Sequence, residues 1–210
     1  MKLPRDPALL VTHLAREAWQ RSPKLGWALS HLAGDCDVVY DDRVGTACIG
    51  RRGSGYRVRL DPDFLRTEVK EGDDLLFLLL HEVGHRLRGD LHRSIPRNPY
   101  DQTLANIVAD IQINASLCRE HFAFGMPLLD RLYASPGLEA LLLPPPQLLA
   151  RFAVPAGLPH LRRPLPFGDI ECEHREELVT VVTHALGATG MEGGALGKLA
   201  AWYAQAWLDS

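Results

Sequence analysis

Leu75-Leu76-Phe77-Leu78-Leu79-Leu80-His81-Glu82-Val83-Gly84-His85 is the stretch on which the reading of this chain turns. Six consecutive large apolar residues require burial on nearly every side, as on a central helix. The run is too short to span a bilayer and is flanked by Asp73, Asp74 and Glu82, so it reads as core. Gly72-Asp73-Asp74 marks its start, since acids suit the first turn of a helix, and Gly89 marks its end, where glycine adopts the left-handed cap conformation. Four residues apart, His81 and His85 share one helical face, where two imidazoles can grip a single ion. Glu82 lies about 100° around the helix from His81 and can reach a water on that ion without ligating it. This HExxH pattern points to a zinc hydrolase, with Zn2+ lowering the pKa of its water toward about 7. Glu82 is the expected catalytic general base, passing the proton on to the leaving amine of a peptide.

Two histidines are too few for a catalytic zinc site, which normally takes three protein ligands and leaves a fourth position open. A later helix, expected from about Asp101 to Cys118, contains Asn106-Ile107-Val108-Ala109-Asp110-Ile111-Gln112-Ile113-Asn114. Asn106, Asp110 and Asn114 share one of its faces amid apolar neighbours, and such a polar line is costly unless its members have partners. Asp110 is therefore the favoured third metal ligand. His92 is the alternative third ligand, reached if the chain turns back after Gly89, and Asp90 or another acid is a further candidate. The spacing from His81 to His92 approaches the metzincin pattern HExxHxxGxxH, but the glycine and the last histidine each come one residue late.

Around the motif, the apolar positions Leu9, Leu10, Leu14, Trp19, Leu25, Trp27, Ala28 and Leu32 predict two helices broken at Ser22-Pro23. Val38-Val39-Tyr40, Thr46-Ala47-Cys48-Ile49 and Tyr56-Arg57-Val58-Arg59-Leu60 read as strands. Arg51-Arg52-Gly53-Ser54-Gly55 supplies a hairpin turn between the last two, and Asp61-Pro62-Asp63-Phe64-Leu65 opens a short helix. Strands just ahead of the motif helix offer an edge on which an extended peptide substrate can lie. Beyond Phe122 a proline-rich connector leads to two helices, at about Glu173 to Leu186 and Ala195 to Leu208. The expected organisation is a core over residues 1–125, with the connector and terminal helices of 126–210 packed on it.

The chain has 210 residues and a net charge of -3, so it offers no general attraction to nucleic acid or to an anionic membrane. Cys36, Cys48, Cys118 and Cys172 form no CxxC pair, which speaks against a zinc ribbon and for a reduced, cytoplasmic setting. No secretory signal is legible in Met1-Lys2-Leu3-Pro4-Arg5-Asp6-Pro7.

From about Leu14 to Leu117 the sequence resembles the metallopeptidase domain that bacterial proteins carry in front of a von Willebrand factor A-like domain. The resemblance is carried by Pro23 with Leu25-Gly26, Gly45-Thr46-Ala47, Asp61-Pro62-Asp63-Phe64, Leu78 through His85, and Asn106 through Asn114. It implies a zincin-like α+β fold, bound zinc and hydrolysis of a peptide or protein substrate. After Leu117 too few residues remain for a von Willebrand A-like fold, and no DxSxS segment is present, so any recognition function housed there is expected to be lost or supplied by a partner protein that replaces that domain. His85-Arg86-Leu87-Arg88-Gly89-Asp90 is also similar to membrane-bound gluzincin peptidases, whose third ligand is a glutamate on a later helix; by spacing, Asn106 takes that place and Asp110 lies one turn on. The alternative to a peptidase is a non-catalytic binding or regulatory module that is stabilised by the metal and acts with a partner; a fourth protein ligand closing the zinc shell would mark it.

Overall fold

The computed structural model describes residues 3–90, 99–122, 126–133, 138–145, 147–148, 182–183 and 194–208. These belong to two compact units, Met1–Ser94 and Ile95–Ser210. The first unit is mixed α and β, with one small sheet, and the described part of the second is helical.

Helices α1 (Ala8–Arg21) and α2 (Pro23–Asp35) are separated by Ser22 alone, whose extended backbone (φ -159°, ψ 132°) ends the first before Pro23 opens the second. Proline suits that first helical position because its missing N–H would have no intrahelical acceptor. The buried faces are Val11, Leu14, Ala15 and Ala18 on α1 and Leu25, Gly26, Leu29 and Leu32 on α2. Leu9, Trp19 and Trp27, apolar positions at helical spacing, are exposed instead. Trp19 lies across α2 at the rim of the contact between the two helices: a Cβ at Gly26 would overlap its indole, whose Nε1 donates to Ser30 Oγ at 3.0 Å.

The sheet holds β1 (Cys36–Tyr40), β2 (Ala47–Arg52) and β3 (Gly55–Leu60) in the order β1-β3-β2. β3 is central, antiparallel to β2 through the hairpin at Gly53 (φ +57°) and parallel to β1. Val38, Ala47, Ile49, Val58 and Leu60 are buried, as period-two alternation requires. Asp61 ties the next turn together. Its Oδ1 accepts from the Asp63 and Phe64 amides at 2.8 and 3.0 Å, capping α3 (Pro62–Thr67), while Oδ2 accepts from Gly45 N at 3.2 Å.

Helix α4 (Gly72–Leu87) carries the decisive stretch, with every residue from Leu75 to Leu80 buried. It packs on β2, α2 and α1. Its start is fixed by the buried Asp74, whose Oδ2 accepts from Lys70 N at 2.8 Å and Glu71 N at 3.2 Å. It stops as the sequence predicts, at Gly89 (φ +72°).

In the second unit α5 (Pro99–His121) packs against α7 (Gly194–Leu208) and a 3-10 turn at Leu138–Leu142; α6 (Pro127–Leu132) lies between α5 and that turn in sequence. Here hydrogen bonds run from side chains to distant carbonyls. Tyr203 Oη donates to Leu143 O at 2.7 Å, Asn114 Nδ2 to Leu142 O at 3.1 Å and Arg119 Nη1 to Trp207 O at 3.4 Å. Of the helix expected at Glu173 to Leu186, only 182–183 are described, and they are helical; the rest lies outside the described residues. No helix among the described residues is long and apolar enough to cross a membrane.

Candidate metal centre

Once the leucines have seated α4 in the core, its last turns place His81 and His85 together. Their Nε2 atoms stand 3.2 Å apart, the ring centroids are separated by 4.9 Å, and the planes cross at 79°. Two nitrogens held about 2.0–2.1 Å from one tetrahedral zinc stand roughly 3.3–3.4 Å apart, so this donor pair fits a shared ion with almost no rearrangement. Phe77, one turn earlier, lies with its ring centroid 6.4 Å from that of His81. Both histidines are half-buried, which leaves access for a small ligand.

Glu82 is 5% exposed, an unusual degree of burial for a carboxylate. It lies within electrostatic reach of β2. Burial pushes the Cys48 thiol up, Arg59 pulls it down, and the Glu82 carboxylate adds to the rise. That proximity to the edge strand is a relation that the HExxH spacing alone did not disclose.

Two further groups steady the end of α4. Arg86 donates from Nη2 to Asp35 Oδ2 at 2.9 Å, reaches Cys36 Sγ at 3.7 Å and lies 4.7 Å above the centre of the Tyr56 ring. It locks the motif helix to the α2–β1 junction and to β3. Its hydrogen bond is the main reason why the Asp35 carboxyl is held below its usual value, with His31 assisting. Asp90 places Oδ2 3.4 Å from His85 Nδ1. Among the candidate ligands named from sequence, Asp90 thus stands beside the ring nitrogen that points away from His81.

Asp110 belongs to α5 in the second unit and is half-buried there. The polar line on its helix is not uniform: Asn106 is exposed, while Asn114 is buried and engaged with the Leu142 carbonyl. Asn114 thus tethers the 3-10 turn. His92 lies outside the described residues.

A family model described as "Putative metallopeptidase domain" matches residues 11–139, more than half of the chain. The chain belongs to that family. The match takes in both helices that carry candidate ligands, α4 and α5, together with the whole sheet. No curated protein and no solved structure matches the chain. A metallopeptidase domain implies a metal ion, and the HExxH face of α4 supplies nitrogen donors suited to one.

Proposed function

We propose that this metallopeptidase domain is a zincin-like, zinc-dependent peptidase in which His81, His85 and Asp110 hold the ion and Glu82 is the general base. Two imidazole nitrogens and one carboxylate oxygen are by their chemistry a donor set suited to catalytic zinc. Bound there, zinc supplies a Lewis acid for the scissile carbonyl and lowers the pKa of its water to about 7. Glu82 takes the proton of the attacking water and delivers it to the leaving amine. Glu82 is buried, so solvent screens its carboxylate poorly.

The single observation that carries this reading is the 3.2 Å separation of the His81 and His85 Nε2 atoms beside a buried glutamate. An extended peptide is the expected substrate. β2 pairs only with β3 among the described residues, so its outer edge can hydrogen-bond a substrate strand near Glu82. The setting we propose is cytoplasmic, supported by the free thiols of Cys36, Cys48 and Cys118.

The test is a peptide-library cleavage assay of the zinc-loaded wild type and Glu82→Gln. Cleavage by the wild type that is lost in the variant supports the peptidase. Zinc bound stoichiometrically, with no Glu82-dependent cleavage of any peptide, would instead favour the metal-stabilised module that acts through a partner protein.

A further inference from the structure

Gly89 and Asp90 do more than end a helix. On a continuing helix a residue five positions after His85 would lie about 140° around the axis from it, out of reach of its ring. Gly89 prevents that continuation. Arg88 N donates to Gly84 O at 3.0 Å and Gly89 N to Arg86 O at 3.1 Å, after which the left-handed backbone of Gly89 (φ +72°) reverses the chain. The reversal brings Asp90 Oδ2 to 3.4 Å from His85 Nδ1, at the long end of the hydrogen-bond range, with Arg88 Nε 3.9 Å from the same oxygen. The Asp90 side chain is 10% exposed and that of His85 19%, so the pair meets where solvent screens it poorly.

We propose that Asp90 is the positioning residue of the metal site, accepting the Nδ1–H of His85 and so directing its Nε2 lone pair toward the ion shared with His81. The inference rests on the proposed zinc reading and deepens it. A neutral imidazole carries one N–H; with that proton engaged by Asp90, the nitrogen facing His81 is the one free to ligate. The carboxylate also fixes the ring plane and raises the basicity of the ligating nitrogen. Asp90 touches neither substrate nor ion in this arrangement and acts through His85.

The experiment measures zinc affinity of the full chain by competition with a chelating indicator, for wild type, Asp90→Ala, Asp90→Glu, Gly89→Ala and Gly89→Asn. Ring-nitrogen NMR of the zinc-loaded protein accompanies it, and thermal melting of the zinc-free variants checks folding. Asp90→Ala is expected to weaken zinc by about 10–100-fold, and Asp90→Glu to recover part of the loss. Gly89→Ala should weaken zinc as well, and Gly89→Asn less, because asparagine tolerates the left-handed conformation. The zinc-loaded wild type should show His85 protonated at Nδ1, with that N–H resonance altered or lost in Asp90→Ala. Wild-type affinity in Asp90→Ala, or His85 protonated at Nε2, overturns the inference and leaves the zinc reading standing. A wild type that binds no zinc brings down both.

Discussion

Helices α4 and α5 both carry candidate ligands, yet they distribute their polar groups in opposite ways. In α4 the middle is wholly apolar from Leu75 to Leu80, and the chemistry is confined to the ends, Asp74 at one and His81 to His85 at the other. In α5 polar residues recur along one face at three depths, from exposed Asn106 through half-buried Asp110 to buried Asn114. The buried middle of α4 fixes the helix so firmly that its terminal turns can hold side chains in chemically demanding positions. Along α5, by contrast, depth decides role. The deepest, Asn114, holds a turn in place, and the half-buried Asp110 is the one proposed for the metal.

The comparison breaks most sharply at Glu82. Glu82→Gln should lower peptide cleavage by about 100- to 10,000-fold while zinc content stays at the wild-type level, read by turnover and by metal analysis. Equal loss of zinc would mean that the buried glutamate supports the site rather than the reaction.

On α5 two neighbouring substitutions should separate cleanly. Asn114→Ala leaves the Leu142 carbonyl without its donor and should cost about 1–3 kcal/mol in urea denaturation, with zinc retained. Asp110→Ala should do the reverse, losing zinc with a smaller change in the stability of the zinc-free chain. If both variants only destabilise, the division of roles by depth along α5 is wrong.

The foundation under α4 gives a smaller effect. Gly26→Ala forces the Trp19 ring out of its place against α2 and should cost about 1–3 kcal/mol, visible as a lower thermal midpoint. A midpoint equal to wild type would show that the indole moves aside freely.

The smallest expected effect is a pH dependence at the Arg86 end of α4. Asp35 is held below its ordinary carboxylate value, chiefly by Arg86 and then by His31. A lowered folded-state pKa means that the stabilisation is present above the unfolded value and is lost as the pH falls through the folded one. The difference in thermal midpoint between wild type and Arg86→Leu should therefore be constant near neutrality and shrink as the pH is taken below about 4. A difference unchanged through that range would assign the loss to packing over Tyr56 instead.

How far the sequence could be read follows the same contrast. Signals that act within a few residues were legible: the Ser22-Pro23 break, the Asp61 cap, the hairpin at Gly53 and the stop at Gly89 all fall where local chemistry places them. Burial on α1 and α2 was less legible, because Trp19 and Trp27 have apolar rings at helical spacing but stay exposed, Trp19 lying across Gly26 at the rim of the helix contact. The parallel pairing of β1 with β3 depends on residues about twenty positions apart, and no local pattern announces it. In the candidate site, spacing singles out His81, Glu82 and His85 as candidates, whereas the turn that carries Asp90 to Nδ1 of His85 needs coordinates. A helix-ending glycine followed at once by an acid was the available clue.

The central claim is that the HExxH face of α4 holds zinc, and the metal content of the purified full chain tests it most directly. After loading with zinc and exhaustive dialysis, the wild type is predicted to retain one zinc per chain and a folded His81→Ala variant none. A wild type that retains no zinc, or a His81→Ala variant that retains as much as the wild type, would contradict it.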